Sequence, residues 1–240
     1  MSTPRVILGI WGYSSDQPQV QYHDSGAAVV KDGRVMSAIN EERITRKKNE
    51  GSWPERSIAE ALRLAGITLA DVEHVALAGL PPIARATAMW RELWSNYRRT
   101  GIFLGNRWLY ALLAAKKLRR HGPGCAAPVS CVAHHDAHAA SAYYTAPFED
   151  AAIVTLDGIG DSAHCGGVYA GRGDRMERLR LFSGYASVGL LYSYVTKAFG
   201  FRPARHEGKI TGLAAHGDSD KLIDRFRERL EYRSAERQLF

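Results

Sequence analysis

Apolar positions come in short bursts along this chain, and the bursts alternate between two periods. "RVILGI" (5–10) is a continuous apolar run of the length of a buried strand. "GAAVVKDGRVMSAINEE" (26–42) predicts a hairpin, with an apolar strand, a turn at Asp32-Gly33 and a second strand, "RVMSAIN". "SIAEALRLAGI" (57–67) changes to helical spacing, which assigns Ile58, Leu62 and Leu64 to one face and makes Gly66 the stop. "VEHVALAG" (72–79) returns to a strand, and a further strand at Val129 to Val132 leads into a helix through "HHDAHAASAYY" (134–144). A second cycle starts at 151. "AAIVTLDGIGD" predicts a strand ending in an acidic, glycine-bearing loop. "HCGGVYAGRGDRMERLRLF" predicts two strands around a turn at Arg172-Gly173-Asp174. A helix within 189–199, a small-residue helix after Glu207 and a charged helix complete the chain.

The two cycles share a plan of strand, polar loop, strand, glycine-bearing turn and strand. That repetition predicts two similar α/β lobes with a ligand cleft between them. The expected division is a first lobe over 1–148, with a helical insertion near 83–122, and the start of a second lobe over 149–240.

Charge changes the picture in one place. The formal net charge is +7, and between Arg85 and Arg120 many Arg and Lys stand against the single acid Glu92. These cations alternate with Trp90, Leu93, Trp94, Trp108, Leu109 and Leu112 at helical spacing, as in a helix pair with its basic face in water. No nucleic-acid motif accompanies the charge, so nucleic acid is not the expected partner. Hydrophobic residues at 45% and charged residues at 24% are the mix of a soluble globular protein. No apolar run approaches ~18 residues, so no membrane partner is expected. The opening "MSTPRVILGIWGYSSD" lacks a signal-peptide pattern, and three cysteines (Cys125, Cys131, Cys165) without metal-type spacing suit reduced thiols. The expected location is the cytoplasm.

The candidate chemistry is concentrated in a few stretches. His134 and His138 stand four apart on the predicted helix, and 3.6 residues per turn puts both imidazoles on one face, within reach of one ion at ~2.0–2.1 Å. A solvated helix start would look the same, so both readings are open. His135 and Asp136 point elsewhere, toward substrate or the helix cap. Asp157, at the end of an apolar strand, offers a carboxylate, and Gly158 and Gly160 would bring backbone amides close to an anion. Two imidazoles and one carboxylate suit Fe(II), with Zn(II) or Mn(II) as alternatives. Against this, an Asp in such a turn commonly caps its own backbone. "YHDSGAA" places His23, Asp24 and Ser25 before a buried strand, and Arg43 lies in the charged loop "EERITRKKNEGSWP". "RHEGKITGLAAHGD" sets Glu207 and Lys209 at a helix start, where a lysine adds charge for phosphate.

In order along the chain, "YHDSGAAVVKDGRVMSAINEERITRKK", "HHDAHAASAYY", "VTLDGIGD", "SVGLLYSYVTKAFGF" and "HEGKITGLAAHG" strongly resemble the O-carbamoyltransferase family of the NodU/CmcH type. The likeness leaves out the region near 85–125 and the last twenty or so residues. It implies an actin-like/sugar-kinase ATPase fold, a duplicated ribonuclease H-like architecture similar to the tRNA threonylcarbamoyl-transfer ATPase. It also implies transfer of a carbamoyl group from carbamoyl phosphate, through a carbamoyl-adenylate made with ATP, with Mg(II) as its companion ion, to a hydroxyl of a sugar or natural product.

By that resemblance His134, His138 and Asp157 are ligands of an iron-type ion. His23 and Asp24 match the family's substrate-facing segment, and Arg43, Glu207 and Lys209 fall in its charged loops. His23 or His135 would take the hydroxyl proton. A later family aspartate has no counterpart here. The loop "YSSDQPQVQ" is longer than the family's, and "GLAAHG" stands where a Pro-Tyr pair is common. The family continues into the rest of the second lobe and a C-terminal domain that forms the carbamoyl-adenylate. The second lobe is therefore expected to be incomplete, and a separate adenylate-forming polypeptide becomes an expected partner. The rival readings are a non-catalytic or partner-dependent fragment and a tRNA threonylcarbamoyl-transfer protein.

Overall fold

The computed structural model describes residues 5–12, 23–79, 118, 127–160, 164–229, 232–233 and 238–239. The helical insertion expected near 83–122, most of its basic stretch, the loop at 13–21 and Cys125 lie outside the described residues. The chain forms two compact units of mixed α/β structure, which divide between His134 and His135.

In the first unit, five strands form one sheet in the order β3-β2-β1-β4-β5, made of β1 (Val6–Trp11), β2 (Gly26–Lys31), β3 (Arg34–Asn40), β4 (His74–Ala78) and β5 (Val129–Val132). The first three are antiparallel neighbours, whereas β4 runs parallel to both β1 and β5. The apolar run at 5–10 is not buried evenly. Val6, Leu8 and Ile10 are in the core while the residues between them are half-buried, so one face of the sheet carries most of the packing. The hairpin turn falls at Asp32-Gly33 as predicted. Both residues adopt positive φ (50° and 76°), the geometry of a turn whose twist matches its strands.

Helix α1 (Glu41–Thr45) follows β3 directly, and α2 (Glu55–Ala65) covers β2 and β3. Ile58, Ala61 and Leu62 of α2 join Leu8, Val29, Val75 and Leu77 in the core. Leu64 departs from its predicted face and is 52% exposed. Six residues beyond Ile58, it has turned ~240° from it around the helix. Glu41 ties the two helices together. Its buried carboxylate accepts the amides of Arg56 (3.2 Å) and Ser57 (2.7 Å), where Pro54 offers no side-chain cap to α2. The helix stops at Gly66, in the left-handed conformation, as its sequence predicts.

In the second unit, β6 (Asp150–Leu156), β7 (His164–Arg172) and β8 (Arg175–Ser183) form an antiparallel sheet in that order. The turn joining the last two strands is the predicted one at Gly173-Asp174. Helix α3 (His134–Tyr143) packs on one face of this sheet, with Ala139 and Tyr143 against Ile153 and Tyr169. The Tyr143 hydroxyl donates to the Glu149 carbonyl (2.6 Å), and its ring occupies the space beside Gly171, where a Cβ would collide with it. The opposite face leaves Val154, Leu156 and Leu179 exposed. Helices α4 (Val188–Ala198), α5 (Glu207–Ala214) and α6 (Ile223–Arg229) follow. Each unit thus contains a three-stranded antiparallel meander, β1-β2-β3 in the first and β6-β7-β8 in the second.

Candidate functional site

The first turn of α3 and the loop after β6 bring three ligand atoms together. The helix places His134 and His138 on one face, one turn apart. Asp157 leaves the end of β6, where its amide donates to the Cys165 carbonyl (2.7 Å) and so continues the ladder with β7 by one step. His138 Nε2 lies 3.8 Å from Asp157 Oδ2, and one ligand atom from each of His134, His138 and Asp157 lies within 4.8 Å of the others. Donors around a common ion at ~2.0–2.2 Å stand about 3–3.5 Å apart. His138 and Asp157 are exposed and His134 half-buried, so the remaining gap would have to be closed by rotation of exposed side chains. The donor set, two imidazoles and a carboxylate, suits Fe(II), Zn(II) or Mn(II) by its chemistry.

The surrounding groups hold these ligands in place. Trp11 meets the His134 ring at 5.5 Å between centroids, inclined at 61°. The Asp157 Oδ1 atom accepts the Gly158 amide at 2.6 Å, so the carboxylate caps its own turn as well as facing His138. Ser187, the N-cap of α4, accepts the Leu190 amide (3.0 Å) and donates to the Gly158 carbonyl. Gly189 lets the first turn of α4 lie directly on the Asp157–Gly158 backbone, since a Cβ there would stand 2.8 Å from the Gly158 amide nitrogen.

Other predicted residues take positions different from those expected of them. His135 is buried at 3% exposure, and its Nε2 donates to the His164 carbonyl (2.9 Å), with the Thr155 hydroxyl 3.4 Å from Nδ1. This arrangement fixes its tautomer and turns it inward rather than toward substrate. Ser25 is fully buried and donates through both its amide and its hydroxyl to the Glu50 carbonyl (2.8 and 3.0 Å), so it secures a loop instead of presenting a hydroxyl. The Gly158 and Gly160 amides donate within the chain, to Asp157 Oδ1 and the His164 carbonyl, rather than toward an anion. The Glu207 carboxylate accepts the Ser193 hydroxyl (2.7 Å) and the Ala204 amide (2.6 Å). Burial raises its pKa, but the Ser193 hydroxyl and neighbouring backbone amides outweigh that and hold it below the usual carboxylate range. A carboxylate held ionised in this way is not itself a ligand for phosphate. Lys209 sits 5.7 Å from the centroid of the Phe201 ring, and Arg43 is an exposed cation 3.8 Å from Glu42.

His23 and Asp24 form a pair of their own. His23 Nδ1 and Asp24 Oδ2 are 2.6 Å apart, both side chains about half exposed, and the Trp11 indole donates to the His23 carbonyl (2.9 Å). Asp24 has a positive φ of 58°, uncommon for a non-glycine residue and frequent at functional sites.

The supports of α3 and of the Asp157 loop are only partly legible in the sequence. The role of Ser187 has a local signal, a serine just before a helix start. Gly189 has none, because its contact joins segments far apart in the chain.

Among known proteins, a family profile described as carbamoyltransferase N-terminus matches residues 18–238. An uncharacterised protein of Synechocystis is 34% identical over 228 residues, covering 91% of this chain and 35% of its own length. Nodulation protein NolNO of Sinorhizobium fredii is 34% identical over 215 residues, covering 90% of this chain and 31% of its own. An uncharacterised protein of Methanocaldococcus jannaschii is 24% identical over 200 residues, covering 83% and 33%. The chain spans about a third of the length of these relatives.

Proposed function

Because the chain belongs to the carbamoyltransferase N-terminal family, we propose that it forms the metal-holding part of an O-carbamoyltransferase. The carbamoyl group would pass from carbamoyl phosphate, through a carbamoyl-adenylate made with ATP and Mg(II), to a hydroxyl of a sugar or another small molecule. The observation that carries this reading is the convergence of His134, His138 and Asp157. The repeated meander is the feature that favours an actin-like ATPase architecture.

The chain's own residues supply distinct parts of the chemistry. His134, His138 and Asp157 would hold the ion, with Fe(II) preferred over Zn(II) or Mn(II). When bound, such an ion supplies Lewis acidity and orientation. His23 is the proton acceptor. Asp24 at Nδ1 holds the imidazole in the tautomer whose Nε2 takes the hydroxyl proton, and the carboxylate steadies the imidazolium that results. The acceptor oxygen bonds to the carbamoyl carbon as the bond to the adenylate phosphate oxygen breaks, releasing AMP. Lys209 and Arg43 are the cations assigned to phosphate charge. His135 supports α3 rather than reacting. The adenylate-forming step belongs to polypeptide corresponding to the remaining length of the relatives, and the reaction is placed in the cytoplasm.

The test is anaerobic titration of Fe(II), with Co(II) as a spectroscopic substitute, into wild type, His134→Ala, His138→Ala and Asp157→Ala. Each variant should lose affinity at least tenfold. Wild type and His134→Ala binding alike would end the metal assignment. Carbamoyl phosphate, ATP and an adenylate-forming partner should then yield a carbamoylated hydroxyl compound. A tight metal site with no product in that mixture would favour the non-catalytic reading.

A further inference from the structure

Helix α3 carries two of the three proposed ligands, yet its sequence gives it little to grip with. "HHDAHAASAY" is mostly small, and among its residues only His135, Ala139 and Tyr143 are buried. With so little apolar side chain to grip, such a helix could turn about its axis. The imidazoles lie about 5–6 Å from that axis, so a 10° rotation would move them about 1 Å. Productive sites tolerate about 0.5 Å.

Besides the burial of His135, the first turn is fastened by a polar contact on the face away from the ligands. Asp136 lies ~200° around the helix from His134. Its Oδ1 accepts the Tyr169 hydroxyl from β7 at 3.0 Å, and its Oδ2 accepts Arg178 Nη2 from β8 at 2.8 Å. Each carboxylate oxygen has its own donor, so the plane of the group is fixed as well as its position. Tyr169 is fully buried. Burial first, and then the Asp136 charge, push its phenol far above the ordinary value, so it remains a donor.

A second pin stands beside the first. The His164 carbonyl at the start of β7 accepts both His135 Nε2 from the helix and the Gly160 amide (2.6 Å) from the loop that follows Asp157. The next residue, Cys165, accepts the Asp157 amide. The ligand helix and the ligand loop are therefore referenced to the same strand end.

We propose that Asp136, held by Tyr169 and Arg178, is the positioning residue of the metal site, setting the rotation of α3 that aims His134 and His138 at Asp157. The inference rests on the metal reading above and adds to it a residue whose contribution is geometric.

The experiment measures Co(II) affinity and the visible d–d spectrum of the bound ion in the full chain, beside the melting temperature of the metal-free protein. Asp136→Ala and Arg178→Gln should weaken Co(II) binding ~10–100-fold and alter band intensity, as loss of a ligand-supporting partner does. Tyr169→Phe, which keeps the ring, should have a smaller effect of the same kind, and Asp136→Glu should recover part of the affinity. Ser37→Ala, which removes a hydroxyl donating to the Ala61 carbonyl (2.7 Å) in the other unit, should lower the melting temperature while leaving affinity and spectrum unchanged. If Asp136→Ala does not fold, the surface variant Arg178→Gln decides. Wild-type affinity and spectrum in folded Asp136→Ala or Arg178→Gln overturn the clamp. Failure of the wild-type chain to bind Co(II) would overturn the metal reading itself, a result distinct from binding that the clamp variants leave unaltered.

Discussion

Glu207 shows how a charged residue can serve the fold where a sequence suggests a ligand. Its carboxylate is taken up by Ser193 and by the backbone entering α5, and its pKa in the folded chain lies below the ordinary value. A group whose folded pKa is depressed adds stability above its unfolded pKa of about 4.3 and loses it as pH falls through the folded value. Melting temperature should therefore decline on acidification below about pH 5, and Glu207→Gln should flatten that decline. At neutral pH the same substitution should cost about 1 kcal/mol in urea denaturation. His135 and Ser25 teach the same lesson. Their side-chain chemistry was visible in the sequence, but burial and a backbone acceptor decide how that chemistry is used.

At the scale of elements, the strands and helices were legible wherever a local rule governs them. The Asp32-Gly33 turn, the stop at Gly66, the meander after 151 and the His134/His138 spacing all follow from backbone geometry over a few residues. What could not be read is docking between elements. Nothing near Gly189 in the sequence announces that α4 presses on the Asp157–Gly158 backbone, because that contact joins residues about thirty apart. It makes a counterintuitive prediction. Replacing a helical glycine with alanine ordinarily stabilises by about 1 kcal/mol. Gly189→Ala should instead shift the Asp157 loop, destabilise by about 1–3 kcal/mol and weaken metal binding about tenfold. Thermal melts with and without Co(II) would separate the two effects.

For the whole molecule, the proposed metal binding would be linked to folding. An ion that binds only the folded chain adds about 2.7 kcal/mol when present at 100 times its Kd. Fe(II) or Co(II) should therefore raise the melting temperature, EDTA should reverse the rise, and His138→Ala should abolish it. The chain's share of its relatives' length, about a third, sets what such a measurement addresses. It reports on the ion and its cradle, while turnover belongs to the fuller assembly proposed above.

The outer face of the β6–β8 sheet has a practical consequence for such work. A water-facing sheet surface ordinarily carries polar side chains at alternate positions, but here Val154, Leu156 and Leu179 are 59%, 68% and 58% exposed. Solutions of this chain should bind anilinonaphthalene dyes while still folded and scatter more light as they are concentrated. Val154→Lys should reduce both effects.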